Sequence, residues 1–319
     1  MHILITGACG FVGRALMQRL LDDPCALPQP LTLLTGIDHS VDTAPKDWLT
    51  DHRVQLLAGD FADPVLLLQA LRHPPDWVFH LASVPGSLAE KEQALGLQVN
   101  LLSCITLFLA VAASALDNGR AARVVFTSSV AVYGNLPADS RVNESCAVRP
   151  MLTYGAHKLM LETLLTDMSR RGVLDGISLR LPGIVARPAT PTGHGSAFMS
   201  ALIRRLGNGL DYECPVSREA QAWWMSLPCC IDNLLHAAAL PAAQMPESRT
   251  VQLPVITATV GALIQAIAAV TGLTPNVSHV PDAGIERLFG RQPPLDTPLA
   301  RQLGFTDDGD MAQLVVRTL

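Results

Sequence analysis

The sequence predicts an α/β fold, in which helices cover a doubly wound parallel sheet that is joined to a smaller C-terminal lobe. Two observations point to this class. Short apolar runs alternate with segments of helical period, and the first run ends in a glycine-rich turn that opens a helix. With 319 residues, 49% of them hydrophobic, the chain can bury a large core.

The elements follow one another as a doubly wound sheet requires. Apolar runs predict strands at 2–6, 31–37, 54–58, 77–81, 123–127 and 178–181, and a late strand at 251–254. Helical periodicity is found at 14–21, 64–72, 94–117 and 260–271. Strands that alternate with helices pair in parallel, so ligands are expected at the carboxyl ends of these strands.

The turn after the first strand predicts a dinucleotide site. Gly7 permits the tight turn, Gly10 lets the backbone approach a pyrophosphate, and Gly13 lets the helix pack on the strand. The second strand ends in Asp38, close to the position where a carboxylate binds the ribose hydroxyl. No Lys or Arg stands beside Asp38 for a 2′-phosphate, so the expected cofactor is NAD.

Tyr154 and Lys158 lie four residues apart in the segment YGAHK. At this spacing the phenol and the ammonium share one helix face. An ordinary phenol has a pKa of roughly 10, and a neighbouring cation favours phenolate, which makes a general base. Without further context, an ordinary, partly exposed helix face would be the better explanation of the pair.

Further motifs supply that context. TGACGFVG at 6–13, HLAS at 80–83, FTSSVAVYG at 126–134 and YGAHK at 154–158 occur in an order and at spacings that resemble the extended short-chain dehydrogenase/reductase family. This family comprises NAD-dependent sugar epimerases, dehydratases and dehydrogenases. Its fold is Rossmann-like, with a smaller C-terminal substrate lobe.

The resemblance implies roles for particular residues. Tyr154 matches the catalytic base, Lys158 its activating cation, and Ser129, rather than its neighbour Ser128, the hydroxyl that orients the substrate oxygen. Matches to positions that contact the dinucleotide are Gly7, Gly10, Phe11, Val12, Gly13, Asp38, Asp60, Phe61, Leu81, Ala82, Asn100, Tyr154, Lys158 and Pro182. His80 is expected in the core rather than in catalysis.

The second half of the chain is expected to bind the substrate. The segment 187–196 is rich in Pro and Gly and reads as a long loop, which in this family enters the substrate lobe. Arg187 offers a fork for a carboxylate, although a structural ion pair would explain it equally well. The candidate substrate contacts are Ser83, Ser129, Tyr154, Arg187, His194 and Ser196. The NAD-binding domain is predicted at 1–182 with 230–254 returning to it, and the substrate lobe at 183–229 and 255–319.

A narrower resemblance suggests the substrate. SRRGVLDGISLRLPGIVARP at 169–188 and CPVSREAQAWWMS at 214–226 are similar to the D-erythronate dehydrogenase subfamily. This implies that the chain oxidises the C2 hydroxyl of a short sugar acid to the 2-oxo acid, with hydride passing to NAD and the proton to Tyr154. The loop 83–87, Gly183 and Gln221 depart from the subfamily pattern and leave open another small hydroxy acid.

Composition narrows the partners. The net charge is −5 and no run of Lys or Arg occurs, so no nucleic-acid partner is expected. Seven cysteines without a C-x-x-C pair fit a reducing cytoplasm, and no metal site is expected. The apolar stretch Leu101–Leu116 is too short to span a membrane and predicts a buried helix instead. Family members often pair the helices near 94–117 and 152–171, which implies a homodimer.

Two other functions remain open. A nucleotide-sugar epimerase or dehydratase would return the hydride and release no NADH. Dehydratases of this family carry an acidic pair near the serine, whereas Val130 and Ala131 follow Ser129 here. A cofactor-sensing regulator could keep the fold without catalysis, but such proteins commonly lose the Tyr or the Lys, and this chain retains both.

Overall fold

A computed structural model describes residues 1–116, 119–137, 140–189 and 196–319. Its contacts divide the chain into two compact units. The first unit comprises Met1–Ser129, Leu152–Arg180 and Leu234–Val251. The second unit comprises Val130–Met151, Leu181–Asn233 and Gln252–Leu319.

The described residues form strands and helices with the following bounds. The strands are β1 His2–Thr6, β2 Leu33–Asp38, β3 Val54–Ala58, β4 Trp77–His80, β5 Arg123–Ser129, β6 Asp175–Leu181, β7 Gly183–Ile184, β8 Tyr212–Cys214, β9 Gln221–Met225, β10 Thr250–Gln252, β11 Ile256–Thr259 and β12 Val277–His279. The helices are α1 Phe11–Asp22, α2 Lys46–Thr50, α3 Pro64–Ala70, α4 Gly86–Lys91, α5 Gln93–Leu97, α6 Ser103–Leu116, α7 Thr153–Arg170, α8 Ala197–Gly207, α9 Leu227–Ala239, α10 Val260–Thr271, α11 Ala283–Phe289, α12 Pro298–Gln302 and α13 Met311–Thr318.

The main sheet has seven strands in the order β10-β6-β5-β4-β1-β2-β3. The four adjacent pairs from β3 to β5 are all parallel. From β1 the chain first builds outward through β2 and β3, and then returns to β4 on the other side of β1. This reversal creates a crevice at the carboxyl ends of β1 and β4, and the doubly wound parallel sheet is confirmed.

The core of the first unit lies between the sheet and its helices. All five side chains of β1 are buried, as expected for a strand with helices on both faces of its sheet. One apolar cluster joins β4 and β5 to α3, α6 and α7 through residues such as Val78, Phe126, Leu66, Phe108 and Leu161. This packing holds α7 firmly against β5.

A long apolar helical run precedes β5. It consists of α5, a π-helical turn at Gln98–Leu102 and α6. The helical stretch Gln93–Ala115 spans 23 residues and is long and apolar enough to cross a membrane by length and composition only. It is longer than the apolar stretch 101–116 on which the expectation was based. One face packs in the core through Leu107 and Phe108. Leu102 and Leu109 are 45% and 56% exposed, so the helix is buried on one side only.

The second unit has its own small sheets and core. β9 pairs antiparallel with β11 and parallel with β7, and β8 pairs parallel with β12. Apolar residues of α8, α10 and α13 surround these strands, with Trp224 fully buried among them. The second unit is thus a separately packed α+β body.

Candidate active site

The glycine turn is built for close backbone approach. Gly7 has φ +74°, which favours glycine. A β-carbon on Gly13 would lie 2.0 Å from the carbonyl oxygen of Gly7, so no larger residue fits there. α1 begins at Phe11 and has neither a side-chain cap nor an acidic residue in its first turn. These features fit a pyrophosphate, because amide donors and the positive end of the helix dipole attract an anion.

Asp38 lies at the end of β2, beside this turn. Its carboxylate Oδ2 accepts a hydrogen bond from the backbone N–H of Cys9 at 2.8 Å. Asp38 is half-buried, so its negative charge is fixed next to the glycine turn. A ribose diol could donate hydrogen bonds to such a carboxylate, whereas a 2′-phosphate would be repelled.

The end of β3 carries Asp60 and Phe61. Asp60 is exposed, and its Oδ1 accepts from the N–H of Ala62 at 2.9 Å. Phe61 is buried, and its ring packs edge-on against that of His80 with centroids 5.1 Å apart. The Phe61 ring therefore belongs to the core, and Asp60 faces solvent beyond it.

The end of β4 closes over the glycine turn. A β-carbon on Gly7 would lie 2.8 Å from the backbone nitrogen of Ala82, which places Leu81 and Ala82 directly against the turn. The following loop is tied down by Asn100, whose side-chain amide exchanges hydrogen bonds with the backbone of Val84 at 2.7 and 2.9 Å. Asn100 is buried and anchors this loop, whereas Ser83 is exposed on it.

His80 is a buried, hydrogen-bonded residue, as expected. Its Nδ1 lies 2.6 Å from the Thr6 hydroxyl, and its Nε2 lies 2.9 Å from Sγ of Cys104. Burial, assisted by the positive charge of Lys158, lowers the pKa of His80 to about 3. The ring is therefore neutral at physiological pH and joins the ends of β1 and β4 to α6.

Tyr154 and Lys158 project from the first two turns of α7. The Lys158 Nζ lies 5.4 Å from the centroid of the Tyr154 ring and 4.7 Å from that of Phe126, within the range of cation–π attraction. Lys158 is 2% exposed, and its ammonium donates to the carbonyl oxygen of Thr127 at 2.7 Å. Tyr154 is half-buried. The structure thus brings this pair together beside the end of β5.

The two serines at the end of β5 differ in their surroundings. Ser128 is 2% exposed, and its hydroxyl donates to Oε1 of Glu162. Ser129 is half-buried, two residues beyond the carbonyl that holds Lys158. Consecutive strand residues face opposite sides, so Ser128 points into the protein. Ser129, the expected substrate contact, therefore lies on the side of β5 opposite to Ser128.

The remaining candidates belong to the second unit. Pro182 is buried between β6 and β7, Arg187 is half-buried after β7, and Ser196 is the half-buried N-cap of α8 without a side-chain cap bond. His194 lies outside the described residues. The structure therefore gives these residues positions but no shared geometry with Tyr154.

Two of the residues that depart from the subfamily pattern, Gly183 and Gln221, make defined local contacts, as do the neighbouring tryptophans. A β-carbon on Gly183 would meet the Met199 Cε at 2.7 Å and the carbonyl oxygen of Trp223 at 3.3 Å, so glycine accommodates Met199. Gln221 donates to the carbonyl of Gln292 at 2.8 Å. Trp223 and Trp224 are 3% and 0% exposed, and each indole N–H donates to a backbone carbonyl. Packing accounts for both tryptophans.

Two residues that sequence reasoning missed are Glu162 and Arg180. Their side chains form a buried ion pair at 2.8 Å, and Glu162 receives the Ser128 hydroxyl. One signal was present in the sequence, since Glu162 follows Lys158 by four residues, on the helix face of Tyr154.

Comparison with known proteins agrees with this geometry. The profile of the NAD dependent epimerase/dehydratase family matches residues 3–225. The D-erythronate dehydrogenase of Cupriavidus necator is 36% identical, over 99% of this chain and 97% of the relative. That of Haemophilus influenzae is 32% identical, over 99% and 98%. A solved nucleoside-diphosphate-sugar epimerase from Agrobacterium tumefaciens is 32% identical and superposes with a TM-score of 0.89, covering 99% of this chain and 92% of its own.

The matched region runs from β1 to β9 and includes the glycine turn, Asp38, the serine pair and the Tyr154–Lys158 face. The turn and Asp38 fit NAD, and the buried lysine beside a tyrosine fits an oxidoreductase. With its Rossmann-like sheet, glycine turn and Tyr–Lys helix, the chain is an NAD-dependent enzyme that belongs to the NAD-dependent epimerase/dehydratase family, the extended short-chain dehydrogenases/reductases.

Proposed function

We propose that this enzyme oxidises D-erythronate, or a closely related short sugar acid, at its C2 hydroxyl to the 2-oxo acid. The observation that carries the proposal is the full-length similarity to two D-erythronate dehydrogenases, together with a retained Tyr154–Lys158 pair. The reaction needs a base for the hydroxyl proton and an acceptor for the hydride. Bound NAD supplies the hydride acceptor.

The chain's own residues would handle the proton. Tyr154, as phenolate, accepts the proton of the C2 hydroxyl, and the Ser129 hydroxyl donates a hydrogen bond to the same oxygen. The Lys158 ammonium, held by Thr127 and near the Tyr154 ring, stabilises the phenolate electrostatically. In the reverse direction, Tyr154 returns the proton.

We assign the cofactor and substrate contacts as the motifs and the family membership imply. NAD would lie along the carboxyl ends of β1 and β4, on the glycine turn, with Asp38 on the adenosine ribose. Leu81, Ala82 and Pro182 would contribute backbone and apolar surface, and Asp60 would lie near the adenine. For the substrate, we assign Ser83, Arg187 and Ser196 to the sugar-acid side, with the Arg187 guanidinium on the carboxylate. The second unit is thus the substrate lobe.

A homodimer is part of this proposal. Leu102 in the π-helical turn, Leu109 on α6 and Met160 on α7 are 45%, 56% and 53% exposed, although removing long apolar side chains from water lowers the free energy. A second copy that lays the same helices against these residues would bury them symmetrically. The cytoplasm is the proposed compartment, since all seven cysteines, each in the described part, are free thiols.

Absorbance at 340 nm tests the activity. We expect NADH to form from NAD with D-erythronate, and Tyr154→Phe to bind NAD normally but to lose turnover. Near-normal turnover in that variant would contradict the assignment of Tyr154 as the base. The same assay is run with a panel of C3 to C6 sugar acids, which identifies the substrate if D-erythronate is not oxidised.

A second function, nucleotide-sugar epimerisation, is favoured by the similarity to the Agrobacterium tumefaciens structure. It predicts product from a nucleotide sugar without net NADH. Product analysis by chromatography alongside the absorbance assay separates the two reactions, and NAD binding without any product would indicate a regulator.

A further inference from the structure

The strand end that carries Ser129 is held by side chains of α7. The Lys158 Nζ donates to the carbonyl oxygen of Thr127 at 2.7 Å, and Glu162 accepts from the hydroxyl of Ser128. Two consecutive residues before Ser129 are therefore each fastened to the helix that also carries Tyr154. Tyr154, Lys158 and Glu162 follow one another at four-residue intervals, on one helix face.

Glu162 is a buried carboxylate with a defined orientation. It is 3% exposed, so its charge needs a partner. Arg180 on β6 supplies one, donating from Nε to Oε1 at 3.0 Å and from Nη2 to Oε2 at 2.8 Å. A two-point contact with the planar guanidinium fixes the plane of the carboxylate. Oε1, the oxygen that receives the Ser128 hydroxyl, is therefore fixed in space.

The network lies within the first unit and joins three elements, β5, β6 and α7. It does not include the reacting groups themselves, yet it reaches the residue adjacent to one of them. Displacement of a catalytic group by about 1 Å can lower the rate a hundredfold. A network that fixes the position of Ser129 relative to Tyr154 would therefore affect kcat.

We propose that Glu162 and Arg180 are positioning residues that act through Ser128 to hold Ser129 in register with Tyr154. The Arg180 fork orients the Glu162 carboxylate, the carboxylate holds the Ser128 hydroxyl, and Ser129 follows in the chain. This inference rests on the role proposed above for Ser129.

A double-mutant cycle tests the proposal. Substitution at Glu162 or Arg180 leaves a buried charge unpaired and can prevent folding, so the cycle uses Ser128→Ala, Ser129→Ala and both together. The matched control is Ser178→Ala on β6. Ser178 is fully buried like Ser128, but its hydroxyl has no hydrogen-bond partner in the described part of the chain.

We expect Ser128→Ala to lower kcat about tenfold while the Kd for NAD stays within twofold. In the Ser129→Ala background, Ser128→Ala should have no further effect, because it acts through the residue already removed. Ser178→Ala should retain the wild-type rate.

Three results would overturn the proposal. The first is a near-wild-type kcat for Ser128→Ala, and the second is an equal loss of kcat in Ser178→Ala. The third is additivity: Ser128→Ala lowers kcat in the Ser129→Ala background by the same factor as in the wild type. A wild-type enzyme that leaves D-erythronate unchanged contradicts the proposed substrate instead. The cycle is then measured on the sugar acid that the panel identifies, or on the nucleotide sugar if epimerisation is found.

Discussion

The ammonium of Lys158 donates to the carbonyl oxygen of Thr127 at 2.7 Å, and only 2% of the lysine is exposed. The backbone of the protein thereby holds a buried cation in place beside Tyr154. Preorganised charge of this kind stabilises a developing anion without reorganisation.

Lys158→Met removes this charge but keeps most of the apolar stem. We expect kcat to fall by about a hundredfold or more, because general-base catalysis contributes on that order, and the Kd for NAD to rise. Steady-state kinetics and fluorescence titration measure both. Lys91→Met, at an exposed position on α4, is the control. A Lys158→Met enzyme with unchanged kcat would contradict the electrostatic role.

Gly13→Ala should abolish tight NAD binding. Its β-carbon would lie 2.0 Å from the carbonyl oxygen of Gly7, so the turn must open. Gly86→Ala is the matched control, because the added carbon would meet the Tyr154 Cβ at an ordinary 3.5 Å. Isothermal titration should show loss of NAD affinity in the first variant and little change in the second. Equal affinities would contradict the assigned site.

Cofactor choice should depend on the charge of Asp38. We expect the wild type to prefer NAD, because the carboxylate would repel a 2′-phosphate. Asp38→Asn keeps an oxygen acceptor for the Cys9 N–H and removes the charge. It should therefore lower the preference for NAD, measured as kcat/KM with NAD divided by kcat/KM with NADP. If the wild type used NADP as well as NAD, Asp38 would have another role.

Stability should fall on mild acidification through two buried histidines. Burial lowers the pKa of His2 to about 4 and that of His80 to about 3, from 6.5. Below pH 6.5 the unfolded chain therefore binds protons at these histidines that the folded chain does not bind. For His2, the free energy of unfolding falls as the pH is lowered from 6.5 to about 4. Above pH 6.5 neither group contributes any dependence.

His2→Gln measures this effect. Between pH 7.5 and pH 5 the variant should lose about 2 kcal/mol less stability than the wild type, from 1.36 kcal/mol per pKa unit. Urea unfolding at the two pH values gives the comparison. His52→Gln, at a position whose side chain is 93% exposed, should behave like the wild type. An equal loss of stability between the two pH values in His2→Gln and in the wild type would contradict a neutral, buried His2.

Leu109→Glu should produce monomers, because it places a charge in the apolar face assigned to the dimer. Leu68→Glu is the control, since Leu68 is 76% exposed on α3 and lies outside that face. Light scattering coupled to size exclusion gives the mass of each. A monomeric wild type would contradict the homodimer.

Several elements of both units could be predicted from local sequence. The strand 2–6 and the helix 260–271 have the predicted bounds, because apolar periodicity and flanking turn residues act locally. The glycine turn could also be predicted, because the positions of its glycines indicate where the backbone turns tightly. Five strands of the second unit, β7, β8, β9, β11 and β12, were missed. β7, β8 and β12 have only two or three residues, too few to show a period.

Contacts between distant segments could not be predicted in the same way. The Glu162–Arg180 pair joins a helix to a strand, and nothing in either segment identifies its partner. The apolar run at 101–116 predicted burial but not on which side. The Asp38 carboxylate was expected near a ribose, whereas its bond to the Cys9 N–H depends on the fold of the turn.

The first unit is assembled from three separate stretches of chain, and Arg123 ties them together. Its guanidinium bonds Asp175 on β6 and the carbonyls of Ala237, Ala238 and Leu240 after a long excursion of the chain. During synthesis, Asp175 emerges 52 residues after the arginine, and the three carbonyls emerge 114 to 117 residues after it. A truncated chain ending near residue 182 would leave this cation without three of its four acceptors, so we expect a simple N-terminal fragment to be less stable than the whole first unit.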